Sequence, residues 1–539
     1  MIKLKINNRF VEVAEGISVL KVAESLGIEI PTMCFKDGFG NHPSCMLCLV
    51  KDAKNGQLHP SCALPAEEGM EIITDDEEIF EARKESLELL LSDHVGDCEA
   101  PCRTACPAYM DIPKMNRLIA ERKFDEALKL VKEEIALPLI LGYICPAPCE
   151  GACRRSQAEA PVSICELKKM VADEDLKSDD YYLPEKLASS EKNVAVIGSG
   201  PAGLSAAFHL LKLGHSVVIF DQNEEAGGSL RYDIPEEKLP NSAVGAEVKM
   251  VENYGAEFRL NTTIDKTIFE DELKKDFDAV VFALGNFEDG IMKDFGFENN
   301  KFGLLADKAT FQVNGEGIFA CGNVIRSRKM AVTSVAQGKQ VAHSIHDHLA
   351  KKNPEKIYRM FNSRFGKLKQ EEVGEYLKEC ASKVSESTSS IDRPVEGTFD
   401  TRKERLELDK GSRVFSMDQA VEEAERCMHC ECRKPHTCKL RIYSDEYKAD
   451  RRKFMFGERK TLKKHMQHEL IVYEPEKCIR CNLCVDISAL QKDSLGFTSI
   501  GRGYTVEINI PFNKNMKDIF DKTALECAEA CPTGAISLK

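Results

Sequence analysis

Cysteine is the residue of this chain whose abundance and spacing point most directly to chemistry. The 539-residue sequence contains 22 cysteines, and most of them lie in short groups separated by long stretches that have few or none. The chain starts with alternating polar and apolar residues rather than with the apolar core of an export signal, so we predict a cytoplasmic protein with reduced thiols. Reduced cysteines in groups of three or four are typical metal ligands, for iron–sulfur clusters as well as for structural zinc.

Five groups supply the candidate metal ligands. They are Cys34, Cys45, Cys48 and Cys62; His94, Cys98, Cys102 and Cys106; Cys145, Cys149, Cys153 and Cys165; Cys427, Cys430, Cys432 and Cys438; and Cys478, Cys481, Cys484 and Cys531. The last group follows the ferredoxin pattern, CxxCxxC plus a remote cysteine before proline, which is specific for a [4Fe-4S] cluster. The first and fourth groups contain a CxxC spacing that also suits zinc, so zinc is the alternative at both.

Other cysteines and histidines near these groups are predicted to be structural. Cys321 and Cys380 have no cysteine neighbours, and Cys527 lies one helical turn before Cys531. His429 and His436 are predicted to be solvent-facing loop residues, with a role as substitute ligands of the fourth group as the alternative. None of the five is needed to complete a ligand set.

A glycine fingerprint indicates a second kind of cofactor. An apolar strand leads into Gly198-x-Gly200-x-x-Gly203, and an apolar helix and a second strand ending at Asp221 follow. In such a βαβ unit the glycines allow the backbone to approach a pyrophosphate, the helix N-terminus favours its charge, and the acid accepts a hydrogen bond from a ribose hydroxyl. The sequence therefore predicts a dinucleotide site.

Composition limits the classes of function. The balance of 43% hydrophobic and 30% charged residues is that of a folded protein, and the formal net charge of −14 argues against nucleic-acid binding. The longest apolar stretch, around Ala136–Ile144, is well short of the roughly 20 residues that cross a bilayer. We therefore predict no direct membrane insertion.

The N-terminal sequence resembles a known cluster-binding domain. The segments "GISVLKVAESLGIEIPTMC", "SCMLCLV" and "CALPAEEGMEIIT" are similar to the β-grasp ferredoxin domain that begins the large iron–sulfur subunits of respiratory complex I and of multi-subunit hydrogenases. The resemblance implies one [2Fe-2S] cluster held by the first cysteine group. His94 and the helix before it also resemble the complex I family, in which a histidine and three cysteines hold one cluster.

From Cys98 onward the sequence resembles the helical N-terminal domain of the glutamate synthase small subunit. The segments "CEAPCRTACPAYMDIPKM", "ICPAPCEGACRR" and "PVSICELKKMVAD" carry that resemblance, which implies two [4Fe-4S] clusters with interleaved ligands. Lys168 stands where the family often has Glu or Gln, and an ammonium has no lone pair for a metal. Cys165 lies three residues earlier on the same helical face and is the predicted substitute; the alternatives are that Cys165 is a buried small apolar residue and His94 a surface helix residue. The predicted ligand sets are His94, Cys98, Cys102 and Cys153, and Cys106, Cys145, Cys149 and Cys165.

FAD, rather than NAD, is the dinucleotide that the following sequence implies. The segments "AGGSLRYDIP", "DAVVFALGN" and "GIFACGNVIRSRKMAVTSVAQGKQVAHSI" resemble flavoprotein disulfide-reductase-like FAD domains. They add the candidate cofactor-binding residues Gly228, Arg231, Gly285, Gly322 and Asn323. The glutamate synthase small subunit has a second dinucleotide domain, for NADPH, after the position of Gly285. Here only residues 286–316 separate Gly285 from Gly317, and one βαβ unit alone takes roughly 30 residues or more, so a whole second dinucleotide domain is not expected there.

These features predict a multidomain α/β and α+β protein of five modules. The predicted modules are a β-grasp [2Fe-2S] ferredoxin domain (1–75), a helical two-cluster domain (76–175), a Rossmann-like FAD domain (190–350), a linker with the fourth cysteine group (351–445) and a C-terminal ferredoxin-like domain (446–539). The predicted cofactors are FAD, one [2Fe-2S] cluster and about four [4Fe-4S] clusters.

The combination resembles the iron–sulfur flavoprotein subunits of NAD- and ferredoxin-linked complexes, including the large subunit of NADH-dependent ferredoxin:NADP oxidoreductase. The resemblance implies an electron-transfer subunit of an electron-bifurcating hydrogenase or a formate dehydrogenase. Its implied partners are an NADH-binding subunit with FMN and iron–sulfur clusters, a small [2Fe-2S] subunit, the catalytic subunits and ferredoxin. Two alternatives remain: an NAD(P)H-dependent subunit of a glutamate synthase-like complex, and a zinc-rich scaffold without catalysis.

Overall fold

The fold consists of two compact units, each assembled from separate stretches of the chain. A computed structural model describes residues 1–178, 180–286, 295–326, 330–352, 359–387, 404–409, 411–491, 495–518 and 523–539. The terminal unit comprises Met1–Ala100, Met360–Thr401 and Met428–Lys539, and the central unit comprises Pro101–Arg359 and Arg402–Cys427.

Helices and strands alternate irregularly along the described chain. The helices are α1 (Val19–Ser25), α2 (Glu77–Asp93), α3 (Pro101–Ala105), α4 (Ile112–Ala120), α5 (Phe124–Glu134), α6 (Pro138–Ile144), α7 (Pro148–Gly151), α8 (Ile164–Leu176), α9 (Pro201–Lys212), α10 (Ser229–Tyr232), α11 (Asn241–Asn253), α12 (Lys266–Ile268), α13 (Lys274–Asp276), α14 (Ala331–Leu349), α15 (Gln370–Ser387), α16 (Met417–Ala424), α17 (Lys439–Glu446), α18 (Leu483–Leu490) and α19 (Ala524–Ala530). The strands are β1 (Ile2–Ile6), β2 (Arg9–Val13), β3 (Leu49–Asp52), β4 (Leu58–Pro60), β5 (Glu71–Ile73), β6 (Asn193–Ile197), β7 (Ser216–Phe220), β8 (Glu257–Arg259), β9 (Ala279–Phe282), β10 (Asn299–Asn300), β11 (Gly303–Leu304), β12 (Ile318–Ala320), β13 (Ile471–Tyr473), β14 (Thr498–Ile500), β15 (Glu507–Asn509) and β16 (Ile536–Leu538).

The N-terminal part of the terminal unit is a five-stranded mixed sheet of order β2-β1-β5-β3-β4. Strands β1 and β2 form an antiparallel hairpin, and β5 joins β1 in parallel. The side chain of Ser18 caps α1 by accepting a hydrogen bond from the Lys21 amide, and α1 buries Val19 and Val22 against the sheet. Such a cap satisfies an amide that the first helical turn leaves unpaired. The helix therefore begins directly after Ser18.

The C-terminal part of the terminal unit is a small α+β layer. Strands β13 and β16 pair antiparallel, as do β14 and β15. Helices α18 and α19 pack on them, and Ile471, Ile487 and Ile536 lie in the apolar core that results. This core surrounds the last group of cysteines.

The central unit contains a parallel sheet of order β12-β9-β6-β7-β8. Strands β6 and β9 are buried along almost their whole length, as expected for a parallel sheet covered on both faces. Helix α9 follows β6 and packs against α14. The sheet is that of a Rossmann-like α/β domain.

Helices α3 to α8 and α16 form the second part of the central unit. Glu423 on α16 is fully buried and accepts hydrogen bonds from the amides of Ser163 (2.8 Å) and Leu406 (3.0 Å). These bonds fix α16 against the start of α8. The chain therefore returns to this helical layer long after it has completed the parallel sheet.

The predicted linker does not belong to one unit. The stretch predicted as 351–445 contributes to both units, because Arg402–Cys427 belongs to the central unit and Met428 begins the last stretch of the terminal unit. The Ser/Thr-rich connector after Lys383 lies largely outside the described residues. The five predicted module boundaries remain predictions. Among the described helices, none combines the length and apolar character needed to cross a membrane.

Candidate cofactor sites

The first group of cysteines converges between β3, β4 and the loop before them. Cys34, Cys45, Cys48 and Cys62, the N-terminal thiol set, are each at most 2% exposed, and the Cys34 and Cys45 sulfurs are 3.4 Å apart. All are free thiols. The Cys62 thiol lowers the pKa of Cys48 to about 7 through a hydrogen bond that outweighs burial. Four buried thiols with mutually perturbed pKa values form a donor set that fits an iron–sulfur cluster.

A second group converges in the helical layer of the central unit. The central thiol set is Cys106, Cys145, Cys149 and Cys165. Cys145 ends α6, and Cys165 lies in the first turn of α8. The pKa of Cys145 is raised first by its interaction with the Cys165 thiol and then by burial, while the Cys165 amide donates to Glu150 (3.0 Å). The structure thus brings Cys165 to the other predicted ligands.

Lys168 is the charged neighbour of the central thiol set. Its side chain is buried, with 4% of the residue exposed, and no carboxylate within the described ranges forms an ion pair with it. Burial lowers the pKa of its ammonium, but the negative charges of the four central thiols raise it, and the net shift is upward. A cation therefore lies where the resemblance led us to expect a ligand.

Cys153 and Cys427 lie near each other in the central unit, although the sequence placed them in different groups. The Arg426 guanidinium donates to the carbonyls of Ala160 (2.7 Å) and Pro161 (3.3 Å), and Arg155 donates to the Arg426 carbonyl (3.0 Å). Burial raises the pKa of Cys153, and the charge of Arg426 opposes the shift. The residue before Cys427 is therefore a direct neighbour of Cys153. Cys102, on α3, packs into the same apolar core.

The C-terminal thiol set, Cys478, Cys481, Cys484 and Cys531, lines one apolar cavity with Ile508 and Ile536. The Arg480 amide donates to the Cys478 sulfur (3.3 Å), and the Ile536 amide donates to the Cys531 sulfur (3.5 Å). Arg480 has a positive φ of 56°, so the backbone reverses direction in this loop. Cys527 is fully buried beside Cys484.

Cys98 lies beside Cys432, and both belong to the terminal unit. The Cys432 amide donates to the Cys98 carbonyl (3.3 Å). Cys102 and Cys153, predicted partners of Cys98, belong to the central unit. The structure thus places Cys98 next to a cysteine of the fourth group, while its predicted ligation with Cys102 and Cys153 stays a prediction.

The glycine fingerprint forms a tight turn at the carboxyl end of β6. Gly198 has a φ of +106°, and a side chain there would come within 2.5 Å of the Ala283 carbonyl oxygen. A side chain on Gly203 would come within 1.9 Å of the Gly198 carbonyl oxygen. Both positions therefore require glycine, because α9 must begin directly against the strands.

A cavity of about 530 Å³ opens at this turn. Six predicted cofactor residues line it: Gly198, Gly200, Asp221, Gly228, Gly285 and Asn323. Gly203 and Gly322 instead allow close packing behind the lining, while Arg231 donates to the Ala226 carbonyl (3.1 Å) and pairs with Glu225. The volume lies within the usual range for cofactor pockets, roughly 300–1,000 Å³. A glycine-lined cavity at a helix N-terminus fits the pyrophosphate of FAD.

Asp221 has a second role besides lining the cavity. One carboxylate oxygen accepts hydrogen bonds from the Ser199 amide (2.8 Å) and hydroxyl (2.5 Å), and the other accepts from the amide and side chain of Asn223 (both 2.9 Å). These four bonds use the roughly four acceptor sites of an ionised carboxylate. Asp221 therefore orders the loops around the cavity, and a ribose hydroxyl would have to replace or share one of the four donors.

The lining also includes residues that sequence reasoning missed, among them Thr262, Ile264 and Phe295. Thr262 follows β8, and its amide donates to the Asp221 carbonyl (2.9 Å). The sequence did carry a signal for Thr262: it begins a pair of threonines shortly after β8, which is parallel to β7. Ligands of such sheets bind at the carboxyl ends of the strands. Phe295 carried no comparable signal.

Glu247 joins the FAD domain to the central thiol set. It lies on α11, is fully buried, and accepts hydrogen bonds from the first amides of α6, those of Leu139 (2.7 Å) and Ile140 (2.9 Å). Burial raises its pKa to about 7 despite these bonds. Because α6 ends at Cys145, this carboxylate fixes a ligand-bearing helix to the domain that contains the cavity.

No set of three or more Cys, His, Asp or Glu side chains in the described parts of the chain is arranged to hold a single metal ion. In a [4Fe-4S] cluster each cysteine binds a different iron atom, so the four sulfurs surround a body larger than one ion.

Comparison with known proteins assigns three domains. A family model described as "2Fe-2S iron-sulfur cluster binding domain" matches residues 1–77. One described as "Dihydroprymidine dehydrogenase domain II, 4Fe-4S cluster" matches residues 77–180, and one described as "Pyridine nucleotide-disulphide oxidoreductase" matches residues 186–338. These matches confirm the predicted kinds of cofactor: a 2Fe-2S cluster, 4Fe-4S chemistry and FAD.

The chain is also similar to subunits of several oxidoreductases. It is 35% identical to the NADP(+)-dependent formate dehydrogenase subunit beta of Moorella thermoacetica, covering 34% of this chain and 29% of that protein. It is 38% identical to the glutamate synthase [NADPH] small chain of Bacillus subtilis, covering 34% and 37%. It is 34% identical to the NADPH-Fe(3+) oxidoreductase subunit beta of Geobacter sulfurreducens, covering 34% and 28%. The match thus spans about a third of each relative.

The chain is therefore an iron–sulfur flavoprotein of the oxidoreductase class, similar to the glutamate synthase small chain and the formate dehydrogenase beta subunit. This confirms the prediction of an oxidoreductase in its general form.

Proposed function

We propose that this chain transfers electrons between FAD and iron–sulfur clusters as one subunit of a larger oxidoreductase. The observation that carries the proposal is the link from the FAD domain to the central thiol set: Glu247 on α11 binds the first amides of α6, and the cavity and the thiols lie in one compact unit. FAD, when bound, can exchange electrons singly or in pairs. The protein residues supply the cradle, the thiolates and a buried cation.

We assign the thiols of the central unit to two clusters. The central thiol set binds one, with Cys165 in place of a ligand at Lys168. Cys102, Cys153 and Cys427 contribute to the other, since Arg155 and Arg426 hold the segment before Cys427 beside Cys153. Replacing any of these three with Ser is expected to change the same EPR signal, distinct from the signal that depends on Cys165.

We assign the N-terminal thiol set to the [2Fe-2S] cluster and the C-terminal thiol set to a [4Fe-4S] cluster. The alternative at the N-terminal set is zinc, which four thiolates would also bind. Iron, acid-labile sulfide and zinc analysis of the anaerobically purified chain distinguishes the two. Predominantly zinc, without flavin, would support the scaffold interpretation and contradict the relay.

The larger complex is proposed to be of the electron-bifurcating hydrogenase type. In it, an FMN-containing subunit would handle NADH, a small [2Fe-2S] subunit would assist, and other subunits would handle hydrogen and ferredoxin. The single glycine fingerprint in the sequence supports separate handling of the nicotinamide. Purification of the native complex under anaerobic conditions, with its subunit list and its FAD and FMN content, tests this assignment.

A second candidate is a subunit of a formate dehydrogenase-like or glutamate synthase-like complex. The similarity to the Moorella and Bacillus proteins favours it. The co-purifying subunit decides: a formate dehydrogenase or an amidotransferase subunit supports this candidate, and a hydrogenase subunit supports the first.

The ribose role of Asp221 is also a proposal. Asp221→Asn keeps the size of the side chain but exchanges one acceptor oxygen for a donor, so FAD retention is expected to fall about tenfold or more. Fluorescence of released FAD measures this, with Asp271→Asn, an exposed aspartate that does not line the cavity, as the matched control. Equal FAD content in Asp221→Asn and the parent would assign the ribose contact elsewhere.

A further inference from the structure

Cys98, Cys432 and Cys438 lie together in the terminal unit, although two long stretches of sequence separate them. They are 8%, 7% and 6% exposed, and the backbones of Cys98 and Cys432 are directly hydrogen-bonded. Burial raises the pKa of Cys98 to about 11, and the charge of Cys432 adds to the shift. The pKa of Cys438 is raised to about 12 by burial, then by Cys432 and Cys98. Three thiols thus share one buried environment.

The backbone near these thiols leaves space for one sulfur atom and donates a hydrogen bond to another. A side chain at Gly534 would come within 2.3 Å of the Cys432 sulfur, so only glycine leaves space there. The Ser363 amide donates to the Cys98 sulfur (3.4 Å). Amide donors to sulfur are a feature that the C-terminal thiol set also has.

His94 supplies a fourth donor atom. Its Nδ1 is inaccessible to solvent and has no hydrogen-bond partner among the described residues. Its Nε2 would lie 3.3 Å from a side chain at Gly96, which would also touch Lys477, and Lys477 in turn is a charged neighbour of Cys432. An unpaired buried ring nitrogen is costly unless it has a ligand to bind. Burial, Lys477 and Arg451 together lower the pKa of His94 to about 4, which keeps the ring neutral.

We propose that His94, Cys98, Cys432 and Cys438 form one [4Fe-4S] site, the composite site, built from two stretches that lie far apart in the sequence. This proposal rests on the relay function proposed above and deepens it. It separates His94 and Cys98 from Cys102 and Cys153, and separates Cys432 and Cys438 from Cys427.

The position of the composite site gives it a specific place among the clusters. One apolar core contains Cys438 of the composite site, Cys34 and Cys45 of the N-terminal thiol set, and Cys481 of the C-terminal thiol set. Electron transfer slows steeply with distance, so three sites within one core are well coupled. The composite site therefore joins the [2Fe-2S] cluster to the ferredoxin-type cluster.

The test compares variants of the full chain, purified anaerobically with its complex, by low-temperature EPR and iron analysis. His94→Ala, Cys98→Ser and Cys432→Ser are expected to alter or remove the same [4Fe-4S] signal. His436→Ala, an exposed histidine in the loop between Cys432 and Cys438, is the matched control and should leave every signal unchanged.

A second substitution at His94 distinguishes the loss of a cluster ligand from a failure to fold. His94→Cys is expected to restore the signal with a lower midpoint potential, because a thiolate replaces a neutral imidazole and histidine ligation raises cluster potentials. In the parent protein, reduction of the composite cluster is expected to broaden the EPR signal of the neighbouring [2Fe-2S] cluster. This broadening should be absent in Cys432→Ser. FAD content should stay at the parent level in all these variants.

The outcomes distinguish this proposal from the proposed function. If Cys98→Ser and Cys102→Ser alter one signal while Cys432→Ser alters another, the composite site is refuted and the relay stands. If His94→Ala leaves all signals intact, His94 is not a ligand. A chain that contains zinc and no iron would refute the relay itself.

Discussion

Two buried lysines lie beside cysteine groups, one in each unit, and their surroundings differ. Lys477 in the terminal unit is paired with the buried carboxylate of Glu474 at 2.5 Å, so the thiols nearby face a neutral pair. Lys168 in the central unit faces four thiols and forms no ion pair within the described residues. The comparison indicates that the charge of a buried lysine near cysteine thiols is neutralised either by a carboxylate, as at Lys477, or by the thiolates, as at Lys168. Only in the second arrangement do the thiols, and a cluster bound to them, experience the whole positive charge of the lysine.

The most disruptive change to this arrangement is to remove a thiolate that Lys168 faces. Cys165→Ala should abolish or convert one [4Fe-4S] signal and leave Lys168 with one fewer anion, so the helical layer should also lose stability. Quantitative EPR and iron analysis measure the loss, with Cys321→Ala, a buried cysteine away from the thiol sets, as control. An unchanged spectrum would show that Cys165 is only a buried apolar residue.

Breaking the neutral pair of the terminal unit comes next. Glu474→Gln leaves a buried ammonium unpaired and is expected to cost about 3–5 kcal/mol of stability. The double change Glu474→Gln with Lys477→Met removes both charges and should recover most of that loss. Thermal unfolding of the cluster-loaded chain tests the pair. A double variant no more stable than Glu474→Gln would mean that Lys477 is held by the thiols rather than by Glu474.

Removing the single charge in the central unit should shift a potential. A unit charge about 8 Å away at an effective dielectric of about 20 contributes ~2 kcal/mol, or about 90 mV for a one-electron couple. Lys168→Met is therefore expected to lower the midpoint potential of the central cluster by that order, because the cation stabilises the reduced state. The matched control is the neutral double variant at 474 and 477, which should shift its neighbouring cluster much less. Equal shifts would remove the distinction between the two lysines.

The last predicted effect, which is spread over more than two pH units, is a pH dependence centred on Glu247. Burial raises its pKa to about 7 in the folded chain, whereas an unfolded glutamate titrates near 4.3. The folded state therefore disfavours the ionised carboxylate, and its stabilising contribution is complete at low pH and is lost as pH rises toward and through 7. Glu247→Gln should flatten the stability profile between about pH 5 and 7.5, by up to about 3 kcal/mol. Parallel profiles of parent and variant would show that the two amide bonds keep the carboxylate ionised.

Local patterns in the sequence predict local structure, whereas they carry little information about contacts between distant stretches. The turn at Gly198 and the position of Asp221 at the cavity follow from neighbouring residues, and the structure has both. Cys165 was identified because it shares a helical face with Lys168. Spacing could not reveal that Cys98 lies beside Cys432, since thiols of equal chemistry give no signal about which partner they meet.

The same limit applies to Glu247 and Cys427. A glutamate within an amphipathic helix gives no indication that its carboxylate caps another helix. Cys427 belongs by sequence to a CxxC motif, but the buried ion pair of Glu423 and Arg426 fixes the preceding turn to the helical layer of the central unit. Tertiary ion pairs, rather than motif spacing, decide which group a cysteine joins.

The interleaving of the two units has a consequence for biosynthesis. Domains generally fold as they emerge from the ribosome, N-terminal ones first, yet the first stretch of the terminal unit depends on its last. Buried Arg83 donates to the Tyr447 hydroxyl (3.2 Å), Lys36 pairs with Glu526 (2.9 Å), and Cys98 meets Cys432. The thiols of the proposed composite site therefore cannot meet until Cys438 has been synthesised, whereas the central thiol set is complete once Cys165 has emerged.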